Sequence, residues 1–147
     1  TVSIKSVSDF YSFHAKNKWK LNEGALELLE NLQGKVKLGL ITNGYTETQN
    51  YKIDLVDIRK YFQVIILSEE VGLSKPDPKI FELTLVKLKA TSNESVYIGD
   101  DWDIDVLGSL GAGLRPIWLN EHNQENPLKV LETQTLKGVW NILNPLL

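Results

Sequence analysis

Val96-Tyr97-Ile98-Gly99-Asp100-Asp101-Trp102-Asp103-Ile104-Asp105 runs an apolar segment straight into four carboxylates spread over six residues. A buried strand ending in acids at this density needs an offsetting charge. Neighbouring carboxylates repel one another unless a cation, a lysine or aimed backbone N–H groups stand beside them. Magnesium, which prefers oxygen ligands, is one answer. A capped turn is the other, because Asp is a favoured N-cap and Asp103 stands where a helix through Val106, Leu107 and Leu110 could begin. On these ten residues alone the two readings are equally good, and the rest of the chain has to separate them.

Outward from this stretch, helix and strand patterns alternate. Phe10 to Trp19 reads as helix, and Glu23 to Gln33 places Ala25, Leu28, Leu29 and Leu32 on one face before stopping at Gly34. Val36 to Thr42 reads as a strand, Glu47 to Ile58 as a helix, and the β-branched run Val64 to Leu67 as a strand again. Asp77 can cap, and Pro78 open, a helix whose apolar face is Phe81, Leu85 and Leu88. Ser95 to Ile98 is the next strand. The helix after the aspartates ends at Gly111-Ala112-Gly113, and Arg115 to Leu119 is a further strand. Asn120 to Pro127 is a polar loop, followed by a short strand near Val130 to Leu131 and a helix containing Val139, Trp140 and Leu143. Such alternation predicts an open parallel sheet with helices on both faces.

Composition narrows the function classes. The 147 residues, 42% hydrophobic and 24% charged, suffice for one sizeable core and no more than one domain is expected. A net charge of −3, with no run of Lys and Arg, argues against nucleic acid or a membrane surface as partner and for small solutes. No apolar run approaches the roughly 20 residues a bilayer span needs, and the polar start is unlike a signal peptide, so a cytoplasmic location is expected. With no cysteine there is no thiolate ligation or thiol catalysis. Methionine is absent even at position 1, which reads as a lost initiator or a piece of a longer chain.

In sheets of this kind ligands bind beyond the carboxyl ends of the strands. Three polar clusters fall there: Thr42-Asn43-Gly44, Ser74-Lys75-Pro76-Asp77-Pro78, and Gly99-Asp100-Asp101. Thr42 offers a hydroxyl, the amides of Asn43 and Gly44 could face an anion at a helix start, and Lys75 offers a full positive charge. Pro76 biases Lys75 toward an extended conformation in a tight loop. Hydroxyl, ammonium and metal-binding acids together make a phosphoryl site. Any one of them alone is ordinary: Thr is strand-friendly, and a single Lys is usually a solvated charge.

In this order and context the clusters resemble motifs II, III and IV of the haloacid dehalogenase (HAD) superfamily, subfamily I, whose members are mostly small-molecule phosphatases. The similarity runs from about Leu21 to Leu119. The resemblance implies a three-layer Rossmann-like α/β core. It further implies that Thr42 bonds the phosphoryl oxygens with Asn43 and Gly44 beside it, that Lys75 stabilises negative charge, and that Asp100 ligates magnesium. Asp105 would support the metal or Lys75, with Asp101 a further candidate ligand, Asp103 a helix cap and Trp102 a wall of the pocket. His14 and His122 are given no role.

The family's motif I, an Asp-x-Asp on the first strand that supplies the nucleophile and the general acid/base, is not found before Leu21. Asp-x-Asp occurs only at Asp101 to Asp103 and Asp103 to Asp105. Residues 1–20 therefore read as the return link of a helical cap and 21–147 as the core, with the nucleophile-bearing strand and most of the cap absent. The expectation is a magnesium-dependent phosphatase of a small phosphorylated metabolite in the intact protein, working through an aspartyl-phosphate. This chain alone is expected to be inactive, with magnesium bound weakly or not at all. A metal-independent dehalogenase is disfavoured by the Gly-Asp-Asp cluster, and a receiver-type signalling domain by the order Thr42, Lys75, Asp100. A non-catalytic binding or scaffold protein of the same fold is the remaining alternative. A missing central strand would leave unpaired backbone on both flanking strands, at about 1–3 kcal/mol per buried group. The flanking strands should close up, or the slot should be filled by Thr1 to Val7, where Val2 and Ile4 alternate with polar residues, or by strand exchange in a dimer.

Overall fold

The computed structural model describes the backbone of residues 2–4 and all of residues 19–147. Its elements are β1 (Val2–Ile4), α1 (Ala25–Leu32), β2 (Leu38–Thr42), α2 (Thr46–Leu55), β3 (Val64–Leu67), α3 (Ser68–Val71), α4 (Pro78–Leu88), β4 (Val96–Gly99), α5 (Leu107–Gly111), β5 (Arg115–Leu119), β6 (Leu131–Thr133) and α6 (Leu136–Leu143). The strands form one six-stranded sheet in the order β3-β2-β1-β4-β5-β6. Every pairing is parallel. The expected helix at Phe10 to Trp19 lies, but for Trp19, outside the described residues.

The central slot is filled from within the chain. Val2 sits in register with Leu38 on one side and Val96 on the other, and Ile4 with Ile98. Of the outcomes expected for this slot, the amino-terminal segment filling it is the one observed: a parallel strand is present there, and no strand from a second copy is needed to satisfy the backbones of β2 and β4. Strand order reverses across β1 and β4, which makes their carboxyl ends the crevice where ligands of such sheets bind.

Each sheet face is covered, so β2 is buried at all five positions instead of alternating. Its side chains still alternate by face. Leu38 and Leu40 join Leu28, Leu29, Leu32, Val139 and Leu143 under α1 and α6, while Ile41 joins Ile66, Phe81 and Leu85 under α4. α4 starts as its sequence implies: the Asp77 carboxylate accepts from Lys79 N at 3.0 Å, with Pro78 next.

The helix after the aspartates differs from expectation in cap and in pitch. Trp102–Val106 forms a π-helical turn, and its N-cap is Asp101, whose carboxylate accepts from Ile104 N at 2.8 Å. Asp103, expected as the cap, is exposed inside that turn. The turn begins two residues early because the Asp101 carbonyl already accepts from Asp105 N at 2.9 Å and Val106 N at 3.1 Å. Asp101→Ala is accordingly expected to lower stability by about 1 kcal/mol, and Asp103→Ala by less than about 0.5 kcal/mol, in urea unfolding. Equal losses would restore Asp103 as the cap. Among the described residues no helix is long and apolar enough to cross a membrane.

Candidate active site

Thr42 closes β2 and is fully buried. The next residue ties two loops together: Asn43 Nδ2 donates to the Lys75 carbonyl at 2.9 Å, and Asn43 Oδ1 accepts from Lys75 N at 3.0 Å. This two-point grip fixes the start of the Lys75-Pro76 turn, whose peptide bond is cis, beside the end of β2. Asn43 therefore reaches across to the second loop with its side chain and holds it.

The Lys75 side chain is wholly buried and points at β4 and the π-turn. Its ammonium donates to Asp105 Oδ1 at 3.0 Å and to the Tyr97 hydroxyl at 3.2 Å. The Tyr97 hydroxyl in turn donates to Asp105 Oδ1 at 3.2 Å, and Asp105 Oδ2 accepts from Asp101 N at 3.1 Å. Ion pair, phenol and backbone amide thus form one buried polar unit, and low polarity around it makes every member expensive to leave unpartnered. The unit joins the Lys75 loop to the acidic turn after β4, and Asn43 joins the end of β2 to the Lys75 loop.

Asp100 follows β4, half-buried, with its carbonyl accepting from the Trp118 indole N–H at 2.9 Å. Trp102 packs on Trp118, ring centroids 4.7 Å apart. One expected role changes here, that of the Gly44 amide, and of the two supports expected of Asp105 one is selected, that of Lys75. The Gly44 amide donates to Ser68 Oγ at 3.0 Å, so it is committed to α3 rather than turned toward an anion. Asp105 is the counter-ion of Lys75, with both carboxylate oxygens occupied, and this geometry offers it as a support for Lys75 and not as a direct metal ligand.

The magnesium that the family pattern implies needs several oxygen ligands. Among the described residues no three His, Cys, Asp or Glu side chains are grouped so as to hold a metal. Asp101 caps the π-turn, Asp103 is exposed and Asp105 is ion-paired, so these three carboxylates do not converge with Asp100 at the strand end. The acids described here do not by themselves fit a magnesium ion.

Three contributors were missed in the sequence: Tyr97, Trp118 and Gln49. Tyr97 and Trp118 look like ordinary β-formers, and nothing local marks the partners of their polar tips. Gln49 left a trace. It shares the buried face of α2 with Lys52 and Ile53 at helical spacing, a polar residue where an apolar one is expected. On the same face the Lys52 ammonium lies 4.0 Å from the Trp19 ring centroid, and burial lowers its pKa.

A family model described as haloacid dehalogenase-like hydrolase matches residues 2–119. The chain is 37% identical over 120 residues to the pyrimidine 5'-nucleotidase YjjG of Escherichia coli K12, covering 81% of this chain and 53% of the nucleotidase. The crystal structure of the HAD-hydrolase YfnB from Bacillus subtilis bound to magnesium superposes with a TM-score of 0.79 at 29% identity, over 84% of this chain and 56% of YfnB. A protein from Listeria monocytogenes serotype 4b superposes with a TM-score of 0.80 at 24% identity, over 99% of this chain and 98% of its own, a likeness of fold alone. The chain spans about half the length of the curated relatives it matches first.

Proposed function

This chain belongs to the haloacid dehalogenase-like hydrolase family, and from that premise we propose that the protein is a magnesium-dependent phosphatase of a small phosphorylated metabolite. The observation that carries the reading is the tether from Thr42 through Asn43 to the buried Lys75–Asp105 pair, which sets a hydroxyl and an ammonium at the carboxyl ends of strands flanking the central one. In the proposal Thr42 donates to a phosphoryl oxygen, and Lys75, held by Asp105 and Tyr97, offsets the charge that develops in the transition state. Asn43 and Gly44 serve by shaping the loop. Asp100 is proposed as the metal's protein ligand in the whole protein.

The aspartyl-phosphate route needs a carboxylate nucleophile. Of the three carboxylates in the Asp-x-Asp pairs of these 147 residues, Asp101 is spent on the cap, Asp105 on the ion pair, and Asp103 stands exposed in the π-turn beyond the strand end. We therefore place the nucleophile outside residues 1–147 and expect no turnover from this chain alone, with Val2–Ile4 and residues 21–147 forming the catalytic core and the residues between them assigned in part to the link from a cap. Since the E. coli relative is named a pyrimidine 5'-nucleotidase, pyrimidine nucleoside monophosphates are the first substrates to assay.

Phosphate binding tests the core of the reading without needing the nucleophile. Inorganic phosphate titrated into the chain, followed by NMR, is expected to shift the amides of Thr42 and Lys75. Thr42→Val, which keeps shape and loses the hydroxyl, is expected to weaken phosphate by about tenfold, the worth of one hydrogen bond to a charged group. No response of these amides in the unmodified chain would overturn the assignment.

A further inference from the structure

Gln49 lies on α2, 3% exposed, and its side-chain amide meets the turn after β2 at two points. Nε2 donates to the Asn43 carbonyl at 3.1 Å and, in a shorter contact, to Thr42 Oγ1. The Asn43 carbonyl can only accept, so it dictates that Gln49 presents its NH₂ and not its oxygen. Thr42 must then accept from Gln49 with one lone pair. A threonine hydroxyl has one proton to give, and with Gln49 as donor that proton points elsewhere. Within the chain, its acceptor among the described residues is the Asn43 carbonyl at 3.5 Å, the outer limit of a hydrogen bond.

Gly44 makes room for this arrangement. At φ 138° it passes over the Gln49 side chain, and a Cβ there would stand 3.2 Å from both Gln49 Cγ and Cδ. The glycine is thus explained by close approach of Gln49, independently of any ligand.

We propose that Gln49 is a positioning residue that sets the polarity of Thr42, making its hydroxyl a donor toward the phosphoryl group; the inference rests on the phosphoryl-binding role proposed above for Thr42. Gln49 does not touch the ligand. It acts by removing the alternative in which Thr42 spends its proton on a neighbouring side chain.

A double-mutant cycle on inorganic phosphate affinity separates this from packing. The chain, Gln49→Met, Thr42→Val and the double variant would be titrated by NMR, with urea unfolding to establish that each is folded. Gln49→Met is expected to weaken phosphate about fivefold, the equivalent of one net hydrogen bond, and the double variant to bind no more weakly than Thr42→Val. In a Thr42→Ser background, where a hydroxyl remains, Gln49→Met should still cost about fivefold. An undiminished loss in the Thr42→Val background, or no loss in the single variant, would overturn the proposal while leaving the site intact. Unaltered affinity in Thr42→Val alone would instead remove the phosphoryl-binding reading, and this inference with it. Should Gln49→Met not fold, Gln49→Glu keeps the shape and puts an acceptor where the donor was. Its added charge is common to both Thr42 backgrounds and cancels in the cycle, and an excess loss confined to the threonine background is then expected; equal losses would overturn the proposal.

Discussion

Asp105→Ala is expected to lower the unfolding free energy by about 3–5 kcal/mol, the cost of leaving one partner of a buried ion pair uncompensated. Both side chains are fully buried, so water cannot replace the lost carboxylate without entering the core. The Tyr97 hydroxyl and Asp101 N–H lose an acceptor in the same step. Against a typical total of roughly 5–15 kcal/mol, that loss takes a large share of the stability. Urea unfolding of the variant measures it directly. Because the penalty comes from the stranded ammonium, Lys75→Met combined with Asp105→Leu should recover most of the loss while removing the proposed charge from the site. A loss below about 1 kcal/mol for Asp105→Ala would mean that the pair is solvated rather than buried.

Gly99→Ala is the second large effect, and it works through the same carboxylate. A Cβ on Gly99 would stand 2.4 Å from Asp105 Cβ, 2.5 Å from Cγ and 2.6 Å from Oδ2. Flexible side chains usually swing away from such contacts, but Asp105 is held by Lys75, Tyr97 and the Asp101 amide. Either β4 moves or the ion pair breaks. The expected cost is about 3 kcal/mol, the upper end for inserting a methyl group into a packed core. Gly111→Ala, whose Cβ would meet nothing nearer than Pro78 Cβ at 4.0 Å, is the control and should be close to neutral. Thermal or urea unfolding of the pair distinguishes the outcomes, and equal stabilities would show that Asp105 is not pinned.

Local pattern and tertiary contact divide along a physical line. Period-two and period-3.6 patterns are properties of adjacent residues, so β3 and β5 emerge with their bounds unchanged, and α1, α4 and α6 with their buried faces. The start of α4 was legible because Asp77 and Pro78 act on their own helix. After β4 the turn starts at Asp101, two residues before Asp103, although the two are equally good caps locally. The choice follows from where the strand ends and where Asp105 must point.

By itself the sequence determined the α/β alternation, the grouping of Thr42, Lys75 and Asp100 at strand ends, and the short list of segments able to complete the sheet. Tertiary structure alone decided that Val2–Ile4 takes the central slot, that Asn43 grips Lys75, that Gly44 bonds Ser68, and that Lys75, Tyr97 and Asp105 close one buried unit. Those contacts join residues 32, 24 and 30 apart in the chain for Asn43 with Lys75, Gly44 with Ser68, and Lys75 with Asp105. No local propensity encodes them. Propensity tells which face of a strand a side chain takes, whereas register and layer packing tell what stands opposite it, and polar tips are satisfied only by what stands opposite.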